Sequence, residues 1–492
     1  MNILFDYRFR LSLFSGVCIG FSFPPFFGFL SLFGIIPLIK LWKLSNIRDS
    51  AQYSYFAGLV ANIISLYWIG LNSGAELLPV LASLIAAVLY LSILWAFLGI
   101  SSCYLLKKIK YGLYLIPFAW VSMEFIRSYG PLAFSWSNLT LTQSNFLPIL
   151  QIMDVTGSEG VTFWVVFVNV FLFSIIQQRR INYYKDSFLV ILIFIPLFFG
   201  SERIDSLGKS PWSKRSVSIL QPNIDPNLKW EISFRDQLYT TMDSLNTIAY
   251  LNKPNLVLWP EAALPNYMRV SSLKNKYLKL VQKESIPLMM GTLDYNTYSG
   301  NRKYFNGSIY FHNDEFQIYH KIFLVPFAEY IPLSPNFPIL NKLNFGQGNF
   351  NKGREYTIFP IDSISFSNMI CYDISDPLLV RNFVKKGARF LTLEANVAWL
   401  QNSSGVRQFF ELAKLRAIEL RSGIAISANT GISGIINPLG EVVEKIDFDQ
   451  QGVVKGDVFL NKELTFYAKY GNIFAKFCFL FVVLCLFIIR KK

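Results

Sequence analysis

Histidine is nearly absent from this sequence: its 492 residues include only two, His312 and His320. Cysteine is scarce as well, with five residues and no CxxC spacing. A structural zinc site draws about four Cys or His ligands from short spacings, so zinc chemistry is disfavoured, and no metal and no cofactor is expected. Charge is also thin. Charged residues make up 16% of the chain and hydrophobic ones 52%, against about 25% charge in an average soluble domain. With a mean hydropathy of +0.36, the chain is too apolar for an ordinary soluble protein and far too apolar for disorder. Internal repeats and low-complexity linkers are lacking too.

The apolar residues cluster. Residues 1–202 carry long apolar runs, 203–470 read as a mixed α/β domain, and 471–492 return to one apolar run closed by Arg490, Lys491 and Lys492. A bilayer span takes about 20 apolar residues. Candidate spans lie near 9–27, 28–43, 54–72, 79–105, 112–127, 161–177, 187–200 and 473–489. A cleaved signal peptide is disfavoured for the first run, because another apolar run follows it at once. The basic residues fall on alternate loops: Arg8 and Arg10; Lys40, Lys43 and Arg48; Lys107, Lys108 and Lys110; Arg179, Arg180 and Lys185; then the C-terminal three. Arg127 is the exception. By the positive-inside rule, this predicts cytoplasmic termini and places 203–470 on the far side of the membrane. The net charge, 46 Lys+Arg less 32 Asp+Glu, or +14, is therefore mostly topology. No basic cluster marks the soluble region, and no nucleic-acid partner is expected.

Cys18, Cys103, Cys478 and Cys485 lie in apolar runs, leaving Cys371 alone in the soluble region, which therefore has no internal disulfide. Strands are predicted at 216–224, 255–263, 287–293, 307–313, 367–374, 388–396 and 424–432, and helices at 234–250 and 407–421. Ser233 and Asp236 read as a capping box opening the first helix, and Asn437-Pro438-Leu439-Gly440 reads as a hairpin turn. Three motifs end strands or follow them: LWPEAALP with Glu261, YHKIFLVPFAEYIP with Lys321 and Glu329, and MICYDIS with Cys371. A carboxylate, an ammonium and a thiol form a coherent set of base, oxyanion stabiliser and nucleophile. Taken singly, each motif has a bland reading: a solvated rim carboxylate, a surface Lys, a core thiol.

Together the motifs resemble the Glu-Lys-Cys triad of the nitrilase (carbon-nitrogen hydrolase) superfamily. The whole chain is similar to the apolipoprotein N-acyltransferases within it. MEFIRSYGPLAFSW (123–136) resembles that family's membrane-half motif, and QPNIDPNLKW (221–230) opens the second domain as the family does. The resemblance implies a multi-span α-helical membrane bundle plus an α/β, nitrilase-like αββα sandwich. It implies Glu261 as general base, Lys321 as oxyanion stabiliser and Cys371 as nucleophile. Glu329 supports the Lys, and Tyr372, Asp373 and Trp230 match positions tied to activity. For Trp230 a packed core aromatic is an equal reading, and Tyr372 is expected to act through its backbone N–H. Several residues depart from the family pattern: Ala328 for Gly before Glu329, Asp373 for Glu, Val397 for Asp in the NDAWFG-like segment, and Phe409 for His after Gln408.

The implied reaction is a two-step acyl transfer. The donor is a membrane phospholipid and the intermediate a thioester. The acceptor is the α-amine of a diacylglyceryl-modified apolipoprotein, and the implied setting is the bacterial inner membrane with a periplasmic catalytic domain. The apolar segment 336–345 (Phe337, Ile339, Leu340, Leu343 and Phe345) reads equally as a lid, a membrane-dipping arm or an ordinary packed loop. Two other readings stay open at this point: a membrane-anchored amidase or nitrilase acting on a small substrate, and a non-catalytic lipoprotein-binding relative.

Overall fold

The computed structural model describes residues 6–178, 182–251, 253–298, 301–332, 334, 337 and 349–490. The expected apolar segment 336–345 lies outside the described residues except for Phe337, which is exposed. Two compact units are present, one of residues 1–70, 81–209 and 470–492, the other of 71–80 and 210–469.

The first unit is helical. Among the described residues, four of its helices are long and apolar enough to cross a membrane: Ile47–Leu71, Leu77–Lys108, Ser158–Gln177 and Asp186–Gly208. The other predicted runs form shorter elements. The first is a helix over Tyr7–Gly20; the second breaks into a 3-10 turn, Gly28–Leu32, and a nine-residue helix, Ile36–Leu44. Proline explains much of this. It has no N–H to give and fixes φ, so it opens helices rather than continuing them. Pro37 and Pro117 sit in the first turns of Ile36–Leu44 and Ile116–Arg127, and Pro24-Pro25 interrupts the first run. The final apolar helix covers Ile473–Ile488.

Within this unit the MEFIRSYGPLAFSW segment is tied down by two buried charges. Glu124 and Arg127 are each at most 2% exposed and face one another at 3.9 Å. Glu124 accepts from the Leu139 N–H (2.9 Å), the Thr162 hydroxyl (2.7 Å) and the Trp120 indole (3.3 Å), while Arg127 donates to Asn138 Oδ1 at 2.7 Å. Arg127 is thus a structural cation holding the returning chain and not a loop charge, which accounts for its place outside the alternating pattern.

The second unit contains two six-stranded sheets. Its strands are β1 (Lys214–Gln221), β2 (Leu256–Leu258), β3 (Leu288–Tyr298), β4 (Asn301–His312), β5 (Glu315–His320) and β6 (Phe359–Ile361). They continue with β7 (Ile364–Ile370), β8 (Leu391–Ala395), β9 (Ile424–Ala428), β10 (Ser433–Ile436), β11 (Val442–Ile446) and β12 (Gly452–Phe459). The sheet orders are β12-β1-β2-β3-β4-β5 and β11-β10-β9-β8-β7-β6. Helices Arg235–Tyr250 and Leu273–Glu284 pack on the first sheet, Pro377–Lys385 and Ser404–Leu420 on the second, and β1 meets β9 between them, giving an αββα sandwich. The helix 235–250 buries Leu238, Met242, Leu245 and Ala249, the stripe its 3.6-residue period requires. Its predicted capping box does not form. Phe234 occupies the N-cap without a side-chain bond, and the Ser233 hydroxyl turns to Glu231 at 3.3 Å.

The parallel pairs β1–β2, β2–β3, β7–β8 and β8–β9 form the centre of each sheet. Their residues are buried on both faces, as helix-covered parallel strands must be. Glu261 and Cys371 fall at the carboxyl ends of β2 and β7, where open α/β sheets hold their ligands, and Lys321 follows the antiparallel edge strand β5.

Candidate active site

Glu261 follows β2 directly. Trp259 anchors the strand end, fully buried, with its indole donating to Asn246 Oδ1 at 2.9 Å and its N–H to the Met289 carbonyl at 2.9 Å. Pro260 ends the ladder, and Ala262 takes a positive φ of 43°. This turn lies against Gly291 of β3. A Cβ there would stand 2.4 Å from the Pro260 oxygen, 2.5 Å from the Ala262 nitrogen and 2.6 Å from the Glu261 Cα. Only glycine allows that approach.

Lys321 is the first residue past β5, and its N–H donates to the Asn306 carbonyl at 2.9 Å. Its ammonium, 1% exposed, lies 2.9 Å from Glu329 Oε1 and 3.5 Å from Glu261 Oε1. Burial alone would push it toward the neutral amine. The facing carboxylates of Glu329 and Glu261 outweigh burial and hold it protonated. Glu329 also accepts the Val325 N–H at 2.8 Å on its other oxygen, closing the VPFAE turn on itself. The positive φ in that turn, 64°, falls on Phe327, not on Ala328, so the turn does not need the glycine that Ala328 replaces.

Cys371 begins the 3-10 turn Cys371–Ser375 with a φ of 47°. The predicted strand 367–374 therefore stops at Ile370, and the thiol stands on a sharp, strained bend, a feature that clusters at functional sites. Cys371 is half-buried. Desolvation comes first and the negative charge of Glu261 second in pushing its thiol well above the ordinary range. Lys321 pulls the other way, as does a hydrogen bond from the Asn396 backbone, without compensating. Burial thus disfavours the free thiolate despite Lys321, and attack by the sulfur calls for a base to take its proton.

Asp373 is fully buried and organises this bend. Its carboxylate accepts the Phe323 N–H (2.8 Å), the Ile370 N–H (3.0 Å) and the Tyr319 hydroxyl (2.8 Å). Burial pushes its carboxyl up to about 6 against these bonds and Lys321. An aspartate reaches all three partners, so the extra methylene of glutamate is not needed. Tyr372 stacks its ring on Phe323, with centroids 5.0 Å apart and an interplanar angle of 7°. Trp230 is 49% exposed, in the short turn Leu228–Trp230; the packed-core reading of it is wrong. Val397 and Phe409 are buried apolar residues at 4% and 3% exposure, packing where the family pattern has Asp and His.

Three residues at the site were not singled out from sequence. Asn306 on β4 donates from Nδ2 to Glu261 Oε1 at 2.8 Å and to Glu329 Oε1 at 3.0 Å, bridging the two carboxylates. Lys229, 2% exposed, points its ammonium at the Glu261 carbonyl at 3.4 Å, and burial lowers it to about 8 against the pull of Glu261. Glu394 on β8 is fully buried. The available signal was a polar residue inside an otherwise apolar strand, as in YFNGSIYF and FLTLEA.

Two family models match the chain: the apolipoprotein N-acyltransferase N-terminal domain over residues 15–171 and the carbon-nitrogen hydrolase over residues 216–463. The chain belongs to the carbon-nitrogen hydrolase family. Relatives that match the chain over nearly its whole length include apolipoprotein N-acyltransferases. That of Geobacter metallireducens is 29% identical over 95% of this chain and 92% of its own, and that of Chlorobaculum tepidum 28% identical over 97% and 96%. Among solved structures, an amidase from Nesterenkonia sp. AN1 aligns with 52% of this chain and 93% of its own at 16% identity and a TM-score of 0.39. The chain is accordingly a membrane-bound carbon-nitrogen hydrolase family enzyme of the acyltransferase type.

Proposed function

We propose that this acyltransferase moves an acyl chain from a membrane phospholipid, through a thioester on Cys371, to the α-amine of the diacylglyceryl-modified N-terminal cysteine of an apolipoprotein. The observation that carries the reading is the convergence of Glu261, Lys321 and Glu329 beside a thiol on a strained bend, in a chain that also contains a membrane bundle. Glu261 takes the Sγ proton as sulfur attacks the ester carbonyl, and the oxyanion that forms faces the Lys321 ammonium. Collapse breaks the ester C–O bond. The lysophospholipid alkoxide leaves with the proton held by Glu261, and the acyl group stays on sulfur. The acceptor amine then attacks the thioester and Glu261 takes its proton. Collapse breaks the C–S bond, and Cys371 recovers its proton as the amide departs. The desolvation that disfavours the Cys371 thiolate supports the assignment of Glu261, since a nucleophile that is not pre-ionised depends on an adjacent base.

Phospholipid and lipoprotein are both held in a membrane, which gives the helical unit a function that a small soluble amide would not. Of the two alternatives, a small-substrate amidase leaves that unit unexplained, and a non-catalytic relative leaves the assembled acid–base set unexplained. The proposed setting is the bacterial inner membrane with residues 203–470 in the periplasm. The alternating basic loops support this orientation, now without Arg127 as an exception.

Intact-mass spectrometry of the purified enzyme incubated with phospholipid alone tests the mechanism. One acyl mass should be added and one lysophospholipid released. The adduct should be discharged by neutral hydroxylamine or by an apolipoprotein acceptor, and Cys371→Ala should show none. Acyl transfer by Cys371→Ala at a rate near that of the parent would end this reading.

A further inference from the structure

Between the two sheets, behind the proposed base, lies a carboxyl group that the acyl-transfer chemistry does not use. Glu394 is fully buried on β8, paired in register with Ile370 of β7 and Ser427 of β9. One oxygen, Oε2, accepts the Ser308 hydroxyl of β4 at 2.7 Å. Ser308 in turn accepts from Asn368 Nδ2 at 2.8 Å, and Asn368 Oδ1 accepts from the Thr392 hydroxyl at 2.6 Å. The other oxygen of Glu394, Oε1, has no hydrogen-bond partner, and among the described residues no Lys or Arg pairs with it.

A second orphan stands on the neighbouring strand β4, two residues from Ser308. Asn306 Oδ1 is buried and has no partner either, although its Nδ2 serves both Glu261 and Glu329. Asn306 and Ser308 are two residues apart on β4, and positions i and i+2 share one face of a strand. Ser308 reaches Glu394 from that face, so Asn306 presents its amide to the same inter-sheet space. Both orphans are acceptors. Two buried acceptors without a donor are each expensive, and one proton placed between them satisfies both. Charge points the same way. Glu261, Glu329 and Asp373 share Lys321 and Lys229, and a fourth carboxylate in a dry site with no cation is the one that takes up a proton. Burial pushes the Glu394 carboxyl well above its ordinary range; Ser308 opposes this, Glu261 adds to it and Asn368 opposes it.

We propose that Glu394 is a positioning residue held as the neutral acid, whose Oε1–H donates to Asn306 Oδ1. That bond fixes which way the Asn306 amide points and polarises its Nδ2–H toward Glu261 and Glu329. Glu394 thereby sets the orientation and basicity of Glu261 without touching substrate. The titratable groups bearing on it are Glu261, with Lys321, Glu329, Cys371, Asp373 and Lys229 beyond.

The inference rests on Glu261 being the base of the acyl transfer, and one arm of its test does not. The first arm is the pH profile of kcat/KM in the full-length enzyme. Glu394→Leu removes the donor and frees the Asn306 amide. Glu261 then loses a hydrogen bond to its charged form, and the acid limb should move to higher pH with a fall in kcat. Glu394→Gln still offers an N–H to Asn306 and an oxygen to Ser308, so it should bring the acid limb back to the parent position. A downward move in both variants would identify Glu394 as an ionised carboxylate and overturn the proposal. An unmoved limb in Glu394→Leu would reduce Glu394 to packing and overturn it equally. The second arm is an infrared difference spectrum of the parent against Glu394→Gln at neutral pH, which needs no turnover and no Leu variant. Loss of a protonated-carboxyl stretch is expected; loss of a carboxylate stretch instead refutes the assignment. If the parent shows no acyl transfer, the functional reading fails while the infrared result still decides the state of Glu394.

Discussion

Lys321 carries a residue-scale argument that distance and charge settle together. Its ammonium is 1% exposed, with Glu329 at 2.9 Å and Glu261 at 3.5 Å. A buried cation between two carboxylates is held in its charged form, the state that the proposed oxyanion role requires. That is preorganised electrostatic stabilisation. Lys321→Met should lose acyl transfer by roughly 10²–10³-fold, the usual consequence of removing one oxyanion donor, while phospholipid binding persists. Binding and turnover measured on the same preparation check this, and near-parental turnover would remove Lys321 from the mechanism. Breaking a buried ion pair also destabilises by about 3–5 kcal/mol, so the thermal midpoint should be recorded alongside. Lys321→Arg should fail as well, because a planar fork does not replace a compact ammonium at this range.

At the scale of elements, the site is made by strand ends and by the turns that leave them. Gly291 on β3 shows how narrowly Glu261 is held, because an added Cβ would lie 2.4–2.6 Å from three backbone atoms around it. Backbone cannot rotate away as a side chain can. Gly291→Ala should displace the Glu261 turn and lower kcat/KM by on the order of 10²-fold, the scale of a displacement of about 1 Å at a reacting group. Overpacking of this kind costs about 1–3 kcal/mol, so the variant should still fold. Activity and thermal midpoint measured together separate the two effects, and unchanged activity would mean the base has more freedom than the close packing implies. This scale also marks where the sequence stopped being readable. Glu261, Lys321 and Cys371 were legible because each sits in a short motif beside a strand break. Asn306 and Glu394 were not, because a lone polar residue in an apolar stretch looks the same whether it faces solvent or a neighbouring sheet, and Lys229 was not, because a Lys in the polar segment PNIDPNLKW reads as solvated. The helix 235–250 was legible from its stripe, whereas its cap was not, since Ser233 had the choice of Glu231. The eight apolar runs were legible as composition, but helix length was not. Prolines at 24, 25, 37 and 117 divide or delimit runs that hydropathy alone reads as continuous.

For the molecule as a whole, the decisive question is which side of the membrane holds the catalytic unit. Lys and Arg flanking apolar spans set orientation because they resist translocation, so a cation buried in an ion pair inside the bundle does not count. Arg127 does not count: it is buried against Glu124 and Asn138. With it set aside, Arg8, Arg10, Lys40, Lys43, Arg48, Lys107, Lys108 and Lys110 all flank alternate ends of the apolar runs, which supports the proposal that residues 203–470 lie on the other side. A single Cys at Asp314, exposed in the turn between β4 and β5, in a variant lacking the five native cysteines, should react with a membrane-impermeant thiol reagent in intact spheroplasts. A second reporter at Lys108, which closes the helix Leu77–Lys108, should react only after permeabilisation. Neither reporter depends on Cys371, the proposed nucleophile, so burial of the site cannot mimic a wrong orientation. Labelling in the reverse order would place the catalytic unit in the cytoplasm, and the proposed periplasmic setting would have to be given up.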